Sequence, residues 1–155
     1  MHRYHTSVLR IKIIAAICLW LYAAVAKAQY PWFAEYNDGN GLPSNQVYSI
    51  VQDKQGFIWI GCDAGLYKYN GVRYVPYQNA AQKSRPVSGL CISGNGTLYC
   101  YNFQGQIFYT TGDTLTNLNH SYAHIPNIIA DGSNNLYVNH TGGIAVFNSH
   151  TNSWK

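Results

Sequence analysis

Val47-Tyr48-Ser49-Ile50-Val51-Gln52-Asp53-Lys54-Gln55-Gly56-Phe57-Ile58-Trp59-Ile60-Gly61 is the stretch that decides the fold. Two short runs rich in aromatic and β-branched residues flank Asp53-Lys54-Gln55-Gly56. That tetrapeptide offers a carboxylate to close a tight turn and a glycine to accept positive φ. Alternation in Phe57-Ile58-Trp59-Ile60 is that of a strand with two distinct faces. Ala64-Gly65 then turns the chain into Leu66-Tyr67-Lys68-Tyr69-Asn70, and a polar loop leads to Arg73-Tyr74-Val75-Pro76-Tyr77. The unit therefore reads as strand, tight turn, strand, glycine turn, strand, polar loop, strand.

This unit recurs. Val87 to Ile92, Ser93-Gly94-Asn95-Gly96, Thr97-Leu98-Tyr99-Cys100 and Gln104 to Tyr109 form a second copy. Pro126 to Ala130, Asp131-Gly132-Ser133-Asn134, Asn135 to Val138 and Gly142 to Asn148 form a third. The first turn starts at 53, 93 and 131, and the second glycine falls at 65, 105 and 143, so both series step by 40 and then 38. No stretch after residue 29 shows a 3.6-residue period. Four short strands every ~40 residues are the signature of a propeller blade. The expected fold is all-β, a partial β-propeller of about three four-stranded blades. Domain limits follow: blade 1 at 44–80, blade 2 at 81–119 and an incomplete blade 3 at 120–155. Residues 29–43 supply a leading outer strand and turn, because Trp32-Phe33-Ala34-Glu35-Tyr36 matches Arg73 to Tyr77. Propellers close with ~4–8 blades, so the sequence reads as the N-terminal portion of a larger ring whose last blade that leading strand completes.

Residues 1–28 read as a cleaved signal peptide. Basic residues between His2 and Lys12 precede an apolar run from Ile13 to Val25, and Ala26-Lys27-Ala28 places small side chains before Gln29. The run is shorter than the ~20 residues that span a bilayer. Cleavage between Ala28 and Gln29 would release an exported, soluble domain from the cytoplasm. The formal charge of +4 has a local origin in Arg3, Arg10, Lys12 and Lys27; beyond them six basic residues balance six acidic ones. No basic patch remains to pair with a nucleic-acid backbone.

The residues also resemble a known family. Gly41-Leu42-Pro43-Ser44-Asn45-Gln46-Val47, Ile50-Val51-Gln52-Asp53, Gly56-Phe57-Ile58-Trp59-Ile60-Gly61 and Gly65-Leu66-Tyr67-Lys68-Tyr69-Asn70 closely resemble the two-component regulator propeller repeat. The second and third units resemble it mainly in spacing, showing Tyr99-Cys100-Tyr101-Asn102 and Tyr137-Val138-Asn139-His140 where the family has Trp-Ile-Gly-Thr. The resemblance implies the periplasmic sensor part of a histidine kinase or hybrid regulator anchored in the inner membrane. Further blades, an immunoglobulin-like module, one membrane helix and a cytoplasmic kinase would follow, in a full-length homodimer. It also implies an oligosaccharide or other periplasmic ligand, no cofactor and no catalysis in this segment. A secreted propeller that binds carbohydrate or protein without a kinase is the alternative.

Chemistry-bearing groups are sparse. The mature chain has one glutamate, Glu35, and five aspartates, too few for paired-carboxylate catalysis. Asp53 and Asp131 are expected to close turns. His120 and His124 fall in the expected loop between blades 2 and 3, without the Cys or carboxylate companions of a metal site. Trp59, Tyr99 and Tyr137 occupy equivalent positions and are expected as core layers between blades. Trp32, Tyr101 and Asn102 depart from the repeat, and loop departures are where a scaffold places specificity; they are the candidate ligand-binding residues. Catalytic and metal residues are expected to be absent. Cys91 and Cys100 flank the Ser93–Gly96 turn; if Ile92 faces Thr97 they are diagonal neighbours, too far apart at ~7–8 Å for a disulfide. Cys62, Cys91 and Cys100 are therefore expected as small core thiols.

Overall fold

The computed structural model describes residues 12–18, 20, 32–125 and 127–155. The chain forms two compact units, 1–35 and 36–155. In the first, residues 12–18 and 20 are helical and exposed. Among the described residues no helix is long and apolar enough to cross a membrane. Ala28 and Gln29, the expected cleavage pair, lie outside the described residues.

The second unit is three four-stranded antiparallel meanders. One holds β1 (Val47–Gln52), β2 (Ile58–Cys62), β3 (Gly65–Tyr69) and β4 (Tyr74–Tyr77). The next holds β5 (Val87–Ile92), β6 (Leu98–Asn102), β7 (Gln106–Thr111) and β8 (Thr114–Ser121). The last holds β9 (Asn127–Ala130), β10 (Asn135–His140), β11 (Gly143–Asn148) and β12 (Ser153–Trp154). In each sheet spatial order follows sequence order. The first strands β1, β5 and β9 are neighbours in turn, as the inner strands of propeller blades are. The fold class is the one expected from the repeat.

The first turn of each sheet is held by a side chain at its first residue. Asp53 Oδ1 accepts the backbone N–H of Gln55 and Phe57, both at 3.0 Å, and Oδ2 accepts the indole N–H of Trp59 at 2.9 Å. Asp131 repeats the device, accepting from Ser133 and Asn135 backbone N–H and from the Tyr137 hydroxyl at 3.1 Å. In the middle sheet Ser93 stands at that position; its hydroxyl donates to Asn95 Oδ1 at 2.6 Å, and Asn95 in turn accepts Thr97 N–H. A hydroxyl cannot reach as far as a carboxylate, so Tyr99 has no such anchor from the turn.

The core lies between sheets. Trp59, Leu66 and Tyr77 of the first sheet meet Val87, Leu98, Cys100, Phe108 and Leu115 of the second. Tyr99, Tyr101 and Ile107 then meet Ile128, Leu136, Val138 and Phe147 of the third. Each fully buried Leu, Ile or Phe contributes about 1.5–3 kcal/mol by leaving water, so the sheet junctions carry the stability. Trp59 and Tyr99 are core, as expected. Tyr137 is only half-buried and faces the open side of the third sheet, where Ile129 and Ile144 are 62% and 70% exposed.

Residues 32–37 join none of the three sheets, and the blade they are expected to complete is not among them. Several other expectations need correction. The register of the middle sheet is Ile92↔Leu98 and Cys91↔Tyr99, one residue from the assumed pairing. Cys91 consequently packs toward the third sheet and Cys100 toward the first, on opposite faces where no disulfide can join them. Cys62 and Cys100 are buried core thiols and Cys91 is half-buried. His120 lies in β8 and not in a loop, and β8 reaches Ser121, across the junction drawn at 119/120. Finally, the turn after β6 is one residue longer than its counterparts. Cys62 pairs with Gly65 and His140 with Gly143, whereas Tyr101 pairs with Ile107, so Gln106, not Gly105, is the counterpart of Gly65.

Candidate functional site

In an antiparallel meander the second turn of each sheet and the connection to the next sheet lie at the same end. Here that end carries the turns after β2, β6 and β10 and the connections 78–86 and 122–125. A buried polar cluster fixes the first connection. Gln106 Oε1 accepts Lys83 N–H at 2.7 Å and Asn102 Nδ2–H at 2.8 Å, while Gln106 Nε2 donates to the Ala81 carbonyl at 2.9 Å. Asn102 Nδ2 also donates to the Ser84 carbonyl, and its Oδ1 accepts the N–H groups of Gln104 and Gln106. The second connection is tied by Tyr122 N–H to the Gly105 carbonyl at 3.1 Å. Such satisfied buried networks hold loops in one conformation.

A cavity of about 320 Å³ opens at this end, lined by Tyr101, Asn102, Phe103, Gly105, His124 and Ile125. Tyr101 is held against the chain by a bulge: Gly89 has φ +56° and a Cβ built there would lie 1.9 Å from the Tyr101 ring. Only glycine fits beneath that ring. At the rim the exposed Phe103 ring packs 4.9 Å from the ring of Tyr48, on the first strand of the neighbouring sheet. The single proton of the Tyr48 hydroxyl is shared between Gln46 Oε1 and Asp63 Oδ1, at 3.4 and 3.5 Å. Burial first, then the Asp63 carboxylate, raises the Tyr48 phenol above its ordinary value, so it stays a neutral donor. Beside it a cavity of about 370 Å³ runs from Gly65 and Tyr77 to Gln82 and Arg85.

The expected candidates separate. Tyr101 and Asn102 line the cavity, but the amide of Asn102 is occupied within the protein and acts as a turn anchor. Trp32 belongs to the first unit and is 90% exposed. Sequence reasoning missed Tyr48, Phe103 and His124. The legible signal was the extra residue in Phe103-Gln104-Gly105, which aligning glycines concealed. Chemically, the arrangement offers aromatic faces, hydroxyls, an imidazole and a guanidinium. That set suits recognition; among the described residues no group of three or more His, Cys, Asp or Glu could hold a metal.

Comparison with known proteins places these features. Residues 41–64 match the family model "Two component regulator propeller", a span running through β1, the Asp53 turn and β2. No curated protein matches. Among solved structures, the fold is shared with the extracellular domain of a Bacteroides thetaiotaomicron protein whose name assigns it to the one-component systems. That match has a TM-score of 0.59 and 18% identity, over 84% of this chain and 21% of the other. A second, from a protein of the same organism named as a hybrid two-component system, has a TM-score of 0.62 and 18% identity, over 79% of this chain and 19% of the other. The chain thus spans about a fifth of either domain. It carries a two-component regulator propeller repeat at residues 41–64, within a set of β-propeller blades.

Proposed function

We propose that this chain is the N-terminal, ligand-reading part of an exported two-component receptor, and that the ligand engages the Tyr48–Phe103 rim and the cavity behind it. The observation that carries the reading is the coincidence of a regulator propeller repeat with a cavity built from departures from that repeat. Tyr101 and Phe103 depart from the pattern, and the Gly89 bulge seats one of them. A ring-shaped, hydroxylated ligand such as an oligosaccharide fits the mixture of aromatic and hydroxyl groups. In this reading further blades cover the open faces of the first and third sheets, where Ile50 is 63% exposed. The signal then passes to a kinase carried by the same full-length homodimer.

The test is a thermal-shift screen of the full-length ectodomain against periplasmic oligosaccharides. A ligand that raises the melting temperature should lose at least about tenfold in affinity on Phe103→Ala, a cost of ~1.4 kcal/mol. Tyr48→Ala should act in the same direction. Retention of full affinity by both variants would remove the ligand from this site. Extending the gene sequence past codon 155 tests the rest: the reading requires more repeats and an apolar run of ~20 residues.

A further inference from the structure

A third cavity, of about 250 Å³, lies at the opposite end of the sheets, between the second and third. Its origin can be traced position by position. Counting from the first turn makes Phe57 and Trp59 equivalent to Thr97 and Tyr99. The ladders then pair Trp59 with Lys68 and Tyr99 with Tyr109. They also pair Tyr67 with Pro76 and Phe108 with Asn117, which makes Tyr77 equivalent to Leu118.

At the first junction these four positions are filled. The Trp59 and Tyr77 rings meet edge-on at 4.7 Å, and Lys68 Nζ lies 4.1 Å above Phe57 and 5.1 Å from Trp59. At the second junction Thr97, Tyr99 and Leu118 are each smaller than their counterparts, and the Tyr99 and Tyr109 rings stand 6.2 Å apart. All four of these residues line the cavity. The cleft is the volume that the first junction fills, left open at the second. Its rim is formed by the exposed Asn95, His150 and Asn152, so it is accessible to solvent and to a ligand entering from it.

We propose that this cavity is a second binding site, for an uncharged polyhydroxylated compound of single-ring size. The lining contains no Asp, Glu, Lys or Arg, and its one imidazole, His150, lies at the exposed rim, so no carboxylate or permanent cation there neutralises a charged ligand. Asn95 Oδ1 is taken by Ser93 and Thr97 and the Ser149 hydroxyl by Tyr99, so the polar groups turned to a ligand are the Asn95 amide N–H, the Thr97 hydroxyl and the Asn152 amide. Tyr109 and Phe147 present apolar ring faces. The volume is below the ~300–1,000 Å³ of pockets for drug-sized ligands, which limits the occupant to about one ring. The site lies at the end of the sheets away from Phe103, so it does not depend on the function proposed above.

The experiment is saturation-transfer NMR on the full-length protein with D-glucose as probe, titrated to about tenfold above a ~1 mM Kd. Transfer to glucose is expected. It should fall at least about tenfold in the variant Thr97→Phe/Tyr99→Trp/Leu118→Tyr, which restores the first junction's occupants, and persist in Phe103→Ala. Hydrogen exchange on the unaltered protein gives a readout free of variant folding. Glucose should slow exchange in peptides covering 95–99 and 147–152. Absence of transfer, survival of transfer in the refilled variant, loss in Phe103→Ala alone, or unchanged exchange in those peptides would each overturn the proposal.

Discussion

Gly94→Ala is the sharpest probe of how adjacent sheets dock. A methyl at Gly94 would lie 2.4 Å from the Gly132 carbonyl oxygen and 3.0 Å from its carbon. These are backbone atoms of the next sheet's turn, and they cannot rotate away as a side chain could. To reach van der Waals contact the two turns must separate by roughly 1 Å. Two hydrogen bonds span that gap: Gly94 N–H to the Asp131 carbonyl at 3.3 Å, and Asn95 N–H to Asn134 Oδ1 at 2.7 Å. Overpacking strain costs about 1–3 kcal/mol, and weakening each bond adds about 0.5–1.5 kcal/mol. Separation relieves strain at the expense of the bonds, so the two do not add fully, and the expected loss is about 2–4 kcal/mol. The control is its own contact partner. A Cβ at Gly132 meets nothing within 4 Å, and its φ lies outside the left-handed region, so Gly132→Ala should be neutral or stabilise by about 0.4–1 kcal/mol through the unfolded chain. Urea unfolding of the full-length protein measures both. With m of ~1–3 kcal/mol/M, Gly94→Ala should lower the midpoint by about 0.7–4 M. Equal midpoints for the two variants would refute the docking argument.

Other expectations concern single groups. Removing the indole N–H with Trp59→Phe leaves Asp53 Oδ2 without its 2.9 Å donor and should cost about 1.5–3 kcal/mol in urea unfolding; a loss no larger than that of an exposed substitution would count against the turn anchor. Hydrogen bonds from the Asn135 side chain and backbone, then from Tyr137 and Ser133, hold the Asp131 carboxyl below its ordinary value. A folded-state pKa that is depressed gives stability present above the unfolded value of ~3.9 and lost as pH falls below it. The acid-side fall in melting temperature should therefore be shallower in Asp131→Asn, and parallel curves would be the contrary result. Burial pushes the Cys91 thiol up to about 12 and the Cys100 thiol further. In the native protein at pH ~8 both should alkylate at least about a hundredfold more slowly than when unfolded; fast labelling, or a Cys91–Cys100 crosslink by mass spectrometry, would contradict the opposite-face placement.

What the sequence disclosed and what it concealed divide along a physical line. Turn chemistry is local: Asp53 and Asp131 accept bonds from residues within six positions along the chain, so their roles can be read from spacing. Alternation likewise puts Trp59 and Tyr99 in the core. Register is a different matter, because Ser93-Gly94-Asn95-Gly96-Thr97 accommodates two pairings that differ by one residue. A one-residue slip moves every side chain to the other face, and for that reason spacing alone does not disclose the relation between Cys91 and Cys100. The added residue in the turn after β6 is hidden for a related reason. Gly105 satisfies the expected glycine spacing, although its own constraint is not equivalence to Gly65. A Cβ at Gly105 would meet the Tyr122 carbonyl oxygen at 1.7 Å.

The same contrast explains where a repeat protein can place function. Positions that close turns and fill junctions are over-determined, each by a ladder, a cap and a packed neighbour. Binding capacity has to come from copies in which one of those determinants is relaxed. The middle sheet relaxes three: its turn anchor is Ser93 in place of an aspartate, its second turn has an extra residue, and its outer junction carries Tyr99 and Leu118 where the first carries Trp59 and Tyr77. These relaxations coincide with openings, the cavity behind Phe103 at one end and the cavity beside Tyr109 at the other. The flanking sheets keep the carboxylate anchors Asp53 and Asp131 in their first turns, at the end where the cavity beside Tyr109 lies. Departure from the repeat in the middle, bracketed by adherence on both sides, is the arrangement by which a stiff scaffold presents a site without giving up its stability.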